Sequence, residues 1–306
     1  METNELKEFN SKDILKETVD MKSYINELVD SLRNDQEVYD SLKPLKLSLG
    51  DVRANIAKLT DYQEDFHYCK NCPGLDKCFK NTPHTVIKVS KEKNYISISH
   101  DPCQKLIDKM KVDSKYIFAD FPEEWKNSRL KDMDLSETRR PIIVLFRDIV
   151  KGRTRTSVYL KGNHKVGKSF LLVTFANEFI GLGMGEVGII NANKRFKELT
   201  DLSYNDKKSF EKQIVALSSI SLLIIDDFGS EYKNEYVRDQ ILFPILNERY
   251  KNDLLTFFTS ELSIDEIQKL YSFGKNGGDI RGKQLGNILK EMCKEFDVSG
   301  ASIYKK

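Results

Sequence analysis

The stretch Gly162-Asn163-His164-Lys165-Val166-Gly167-Lys168-Ser169 fits the pattern G-x-x-x-x-G-K-[ST]. An apolar segment, Ser157-Val158-Tyr159-Leu160, precedes it, and a helical pattern over residues 170–179 follows. Strand, glycine-bearing loop and helix in that order make a phosphate site. Glycines let successive N–H groups turn inward onto phosphate oxygens. The helix N-terminus adds its partial positive charge. Lys168 is expected to reach the β- and γ-phosphates, and the Ser169 hydroxyl to bind Mg²⁺. The residues expected to hold ATP are therefore Gly162, Asn163, His164, Lys165, Val166, Gly167, Lys168, Ser169 and Phe170.

Outward from this loop, apolar strands alternate with amphipathic helices from about Pro141 onward. Strands are expected at residues 157–160, 187–190, 222–225 and 254–258. Short, wholly apolar strands separated by helices argue for an α/β fold with a parallel sheet covered on both faces. The third strand ends in Asp226-Asp227. A buried strand ending in two carboxylates is costly unless they meet a cation or water. Asp226 is expected to hold Mg²⁺ and Asp227 to orient the attacking water, so Asp227, Lys168 and Asp226 form the expected catalytic set. The plainer alternative is a solvated acidic turn with Gly229 as its turn residue. The fourth strand ends in Phe257-Phe258-Thr259-Ser260. Thr259 could sense the γ-phosphate by hydrogen bonding. Equally, the strand could simply run into a loop in which Ser263 caps a helix.

The 306 residues are enough for two domains, and 40% hydrophobic with 31% charged residues excludes a wholly disordered chain. No apolar run approaches the roughly 20 residues of a membrane span, and the polar, acidic start carries no signal-peptide pattern, which makes the cytoplasm the expected location. A net charge of +2 does not point to nonspecific DNA binding by the whole surface. Local basic patches occur at Lys151-Gly152-Arg153-Thr154-Arg155 and at Lys194-Arg195-Phe196-Lys197. In the second, Phe196 could stack on a base of single-stranded DNA. The alternative is a solvated helix face with Phe196 in the core.

Residues 1–66 read as helical. Leu15, Val19, Met21, Ile25, Leu28 and Leu32 share one helix face, Ser11 is a plausible N-cap, and Pro44 separates a second helical pattern over residues 49–66. Two strand-like segments follow, at residues 86–89 and 95–98, and fit a hairpin. Four of the five cysteines fall between Cys69 and Cys103. Cys69, Cys72, Cys78, His84 and Cys103 are five candidate ligands for one tetrahedral Zn²⁺, and their spacing does not choose four of them. His67 and His100 fit less well, and free buried thiols are the plainer reading. The domain reading is residues 1–110 as a mostly helical module with a zinc-bound hairpin, 111–137 as a charged linker, and 138–306 as the ATPase domain.

These stretches together resemble the AAA+ helicase loaders of the DnaI/DnaC type. The resemblance is carried by residues 159–170, by Asp226-Asp227-Phe228-Gly229-Ser230-Glu231, by Val237-Arg238-Asp239-Gln240-Ile241 through Asn247-Glu248-Arg249, by Leu255-Thr256-Phe257-Phe258-Thr259-Ser260, and by the Cys/His cluster. It implies an AAA+ ATPase using ATP and Mg²⁺, with a structural zinc in the N-terminal module. It also implies that this module grips the replicative helicase hexamer, that the ATPase domain meets single-stranded DNA, and that copies associate through their AAA+ domains. Two departures stand out. Glu261 stands where the family has asparagine. The segment matching the family's arginine finger, Gln284-Leu285-Gly286-Asn287-Ile288, has no arginine, while Arg281 lies just upstream. Two other readings fit some of these features: a transposition-associated AAA+ ATPase of the IstB type, and an ATP-binding adaptor with little hydrolysis.

Overall fold

The computed structural model describes residues 11–93, 95–132, 136–274 and 277–298, with side chains from residue 21 onward. The chain divides into two units, Met1–Met110 and Lys111–Lys306.

The first unit holds helices α1 (Ser11–Asn34), α2 (Gln36–Leu42), α3 (Leu49–Ala54) and α4 (Ile56–Lys70), then a hairpin of β1 (Thr85–Glu92) and β2 (Tyr95–Pro102). Pro44 lies in a short 3₁₀ turn between α2 and α3, where its missing N–H breaks no helix bond. Asp35 caps α2, and Ser48 with Asp51 forms a capping box on α3. The core here is small: Leu32, Val38 and Leu59, flanked by Val52, Ile56, Phe66 and Val89. Of the apolar face expected on α1, Leu32 is buried and Met21 is exposed. Leu15 and Val19 lie outside the described side chains. The hairpin pairs in register from Thr85↔Pro102 to Glu92↔Tyr95. Asp65 of α4 fastens it by accepting the Ile87 N–H at 3.0 Å. Helix α5 (Gln104–Asp113) follows Cys103.

The second unit runs β3 (Tyr116–Ala119), α6 (Arg140–Val150), β4 (Ser157–Lys161), α7 (Lys168–Gly181), β5 (Val187–Asn191), α8 (Ala192–Asn205), α9 (Lys207–Ser219) and β6 (Leu222–Asp226). It continues with α10 (Phe243–Lys251), β7 (Leu255–Ser260), α11 (Ile264–Leu270), α12 (Gly278–Met292) and β8 (Cys293–Asp297). A π-helical turn, Val237–Leu242, leads into α10. All six strands are parallel, in the order β3-β5-β6-β7-β4-β8. The expected α/β class with a parallel sheet is what the chain forms.

Alternation along the strands separates two cores. Val158, Leu160, Leu222, Ile224 and Phe257 face α6 and α7. Tyr159, Leu223, Ile225 and Phe258 face the layer of α8 to α12. The period of two thus buries both faces of each central strand. Arg249 of α10 is fully buried, and it donates to Thr256 Oγ1 and to the carbonyls of Leu217, Ile220 and Leu255 at 2.7–2.9 Å. It has no carboxylate among these partners, and burial lowers its pKa to about 9.

Residues 111–132, part of the stretch expected as a linker, group with the second unit. Tyr116–Ala119 is an edge strand beside β5. The residues after it are stitched to α7. Asn177 Nδ2 donates to the carbonyls of Trp125 and Ser128 at 2.8 and 3.1 Å, and Tyr116 Oη donates to Asn177 Oδ1 at 2.5 Å. Trp125 meets Phe170 edge-on, with centroids 5.4 Å apart. The charge of this stretch hides it, because only one face of a four-residue edge strand needs to be apolar.

Candidate functional site

The sheet order brings three strand ends together. The chain leaves β4 and returns at β5, with β6 and β7 between them. A parallel sheet opens a crevice at the carboxyl ends of its strands where the order reverses in this way. The phosphate loop after β4, Asp226 ending β6 and Thr259 in β7 all lie at those ends.

The loop geometry follows from two glycines. A Cβ on Gly162 would stand 2.4 Å from the Val298 carbonyl oxygen, where the chain leaving β8 bonds back to Lys161. Gly167, at φ 87°, is the N-cap of α7, and its left-handed backbone is open to glycine at no steric cost. The Val166 carbonyl accepts Arg139 Nη2 at 3.1 Å, which fixes the loop from the α6 side.

Lys168 is 6% exposed and folds back over the loop, donating to the Gly162 and Asn163 carbonyls at 2.7 and 2.8 Å. Burial lowers its pKa, against the opposing charges of Asp227, Glu261 and Asp226. The ammonium is therefore satisfied by exchangeable loop contacts, beside three carboxylates.

Asp226 is held from two sides. Thr259 Oγ1 donates to its Oδ1 at 2.5 Å, and the Ser169 hydroxyl lies near enough to favour its charged form. Burial raises its pKa, the two hydroxyls oppose that, and the Asp227 charge adds to it. Asp227 sits at φ 55°, a left-handed conformation that a short polar side chain tolerates. Its N–H reaches Thr259 Oγ1 at 2.9 Å, and its Oδ2 accepts Asn191 Nδ2 at 3.2 Å. Ser169, Asp226 and Asp227 thus converge as oxygen donors beside the loop, a set suited to Mg²⁺.

The structure gives these residues partners that the sequence does not supply. The Thr259 and Ser260 hydroxyls are both buried and engaged. Thr259 joins the two aspartates, and Ser260 donates to the Phe228 carbonyl at 2.6 Å and accepts the Leu262 N–H at 3.0 Å. Thr259 is so placed to position Asp226. Asn191 was not anticipated, although it ends β5 opposite Asp226 in register, and a polar residue ending an apolar strand was the available signal. Glu231 was also missed as a structural group. It is buried, accepts the Gly229 N–H at 2.8 Å, and burial raises its pKa. Ser263 does cap α11, through a capping box with Glu266.

At the Lys194 patch the structure takes the plainer of the two readings, a solvated helix face with Phe196 turned inward. Phe196 is 1% exposed and part of the core, so it offers no ring to a base. Lys194 and Arg195 both pair with Asp120, at 2.7 and 2.9 Å. Arg153 of the other patch pairs with Asp148 at 3.0 Å. Arg281 is half-exposed on α12, bonded to Gln284 at 3.3 Å and 3.8 Å from Asp239.

The expected zinc ligands do not form a ligand set as placed. Among the described residues, no three His, Cys, Asp or Glu side chains are arranged to hold one metal ion. His84 Nε2 bonds to the Leu75 carbonyl at 2.9 Å, and Cys78 Sγ accepts the His84 N–H at 3.4 Å. Cys103 Sγ accepts the Leu106 N–H at 3.4 Å. Lys80 Nζ, paired with Asp65, stands 3.3 Å from Cys69 Sγ. The donor atoms of Cys69, Cys78, His84 and Cys103 serve hydrogen bonds. All five cysteines are free thiols, Cys69, Cys72, Cys78 and Cys103 partly buried.

No family profile matches the chain. It is 24% identical over 274 residues to the replicative helicase loader DnaI of Bacillus subtilis, covering 84% of this chain and 85% of that one. The fold is that of a crystal structure of DnaI, with 23% identity, 58% of this chain and 95% of the other covered, and a TM-score of 0.53. A crystal structure of a proposed primosome component from Streptococcus pyogenes serotype M3 matches at 23% identity over 64% of this chain and 99% of the other, with a TM-score of 0.52. No helix among the described residues is long and apolar enough to cross a membrane.

Proposed function

We propose that this chain is an ATP-dependent loader that binds the replicative DNA helicase and helps place it on single-stranded DNA at initiation or restart of replication. The observation that carries the reading is the extent of its similarity to DnaI. An alignment covering 84% of the chain exceeds what Lys111–Lys306 can supply, so it runs into the first unit as well. A likeness confined to the ATPase fold would suit a transposition-type ATPase equally; one that includes the N-terminal unit favours the loader.

In this reading Lys168 and the loop residues 162–170 take the nucleotide phosphates, Ser169 and Asp226 hold Mg²⁺, and Asp227 orients water with Asn191 behind it. ATP binding would bias a conformational equilibrium of the DNA-facing surface, and hydrolysis would reset it. The first unit would grip the helicase, copies would associate through their ATPase domains, and the role belongs in the cytoplasm. The proposal includes a structural Zn²⁺ at four of Cys69, Cys72, Cys78, His84 and Cys103. Its support is the clustering of those residues in sequence and the resemblance, against the hydrogen-bonded placement of their donor atoms. Turnover of ATP measured alone, with helicase, and with helicase plus single-stranded DNA tests the enzyme reading. Stimulation by the partners is expected; nucleotide binding with no turnover in any combination would reassign the chain as an adaptor.

A further inference from the structure

The carbonyl of Ser260, the last residue of β7, accepts the Gly162 N–H at 3.1 Å. That bond seats the next residue, Glu261, beside the first half of the phosphate loop. Glu261 Oε1 lies 3.8 Å from His164 Nδ1, and both side chains are open to solvent, at 62% and 71% exposure. They stand as a pair at the mouth of the site.

The position matters because of what else surrounds it. Asp226 and Asp227 are acids that a divalent cation would neutralise. Glu261 instead faces His164, an ion pair when the imidazole is protonated. Its charge also reaches Lys168, second only to that of Asp227. Lys168 is the group that would meet the terminal phosphates. A carboxylate within the field of that lysine repels an incoming phosphate, and repels the outermost one most.

We infer that Glu261 is a specificity-determining residue that weakens binding of a nucleoside triphosphate relative to the diphosphate. The inference rests on the phosphate-site reading above. In that reading the loop N–H groups would hold the β-phosphate, and a γ-phosphate would add negative charge nearer the mouth where Glu261 and His164 stand. Removing the carboxylate while keeping its size should relieve the triphosphate and leave the diphosphate nearly untouched.

The test is calorimetric titration of the full chain and its Glu261→Gln and Glu261→Asn variants with Mg-ADP and Mg-ATP, at low and high salt. The expected result is a Kd for ATP lowered about fivefold in both variants, with ADP changed less than about twofold, and a difference that shrinks with salt as an exposed charge requires. Equal shifts for both nucleotides, or none, would overturn the inference while leaving the phosphate site standing. Failure of the wild-type chain to bind either nucleotide would overturn the phosphate site and the inference together.

Discussion

Thr259 Oγ1 lies 2.5 Å from Asp226 Oδ1, so one hydrogen bond ties β7 to the carboxylate that ends β6. The same hydroxyl accepts the Asp227 N–H at 2.9 Å. A single buried oxygen therefore holds the carboxyl of Asp226 and the backbone of Asp227 beside the phosphate loop. Replacing it in Thr259→Val keeps the shape and strands a carboxylate and an N–H. The expected loss is about 1–3 kcal/mol of stability, read as a lower denaturant midpoint, with Thr259→Ser restoring most of it. An unchanged midpoint in the valine variant would contradict the arrangement.

Asp226 should link metal binding to pH. Its folded pKa is raised, chiefly by burial, so folding favours proton binding at this carboxyl. Its contribution to stability is then full below the ordinary value of 3.8 and is lost as pH rises through the raised folded value. Asp226→Asn should therefore raise the thermal midpoint of the Mg²⁺-free protein at neutral pH and not at acid pH. The same substitution should weaken Mg²⁺-dependent ATP binding at least about tenfold. A variant less stable at neutral pH would contradict the burial argument.

In the first unit, Asp35 accepts from Gln63 Nε2 at 2.8 Å, lies 2.5 Å from His67 Nε2, and caps α2 through the Val38 N–H. The His67 bond, then that of Gln63, lowers its pKa from 3.8 to about 2. A depressed carboxylate contributes stability above its unfolded pKa and loses it as pH falls through the folded one. Acid unfolding of this unit should therefore steepen between pH 3.8 and about 2. Asp35→Asn keeps a cap and should flatten that limb. An unchanged acid profile, followed by far-ultraviolet circular dichroism, would count against the contact.

The metal question has a direct answer in elemental analysis of the purified protein. The proposal expects one zinc per chain, released by a chelator together with loss of structure in residues 67–103. A metal-free protein with an intact first unit would remove zinc from the account and leave the hydrogen bonds of Cys69, Cys78, His84 and Cys103 as the reason for the local fold.

The sequence made the centre of the second unit legible and left its edges obscure. β4 to β7 are apolar on both faces, and each was expected within a residue or two. β3 and β8 are edge strands. In Cys293–Asp297 only Cys293 and Phe296 are buried, which leaves too weak a pattern to separate strand from loop. The convergence of Lys168, Asp226 and Thr259 was foreseeable once a parallel sheet was accepted, since their strands end on one side. The hydrogen bond of Thr259 to Asp226 was not, because it depends on how the ends of β6 and β7 lie beside each other. Phe196 lies in the core, as the plainer reading of its charged helix face has it. An apolar residue among charges at helical spacing marks the face that turns inward.

The central claim is that this chain engages the replicative helicase of its own host. The most direct measurement is the mass in solution, by light scattering, of the full chain mixed with that hexamer, with and without ATP. The account predicts a stable complex of both proteins. Absence of a complex under every nucleotide condition would contradict it.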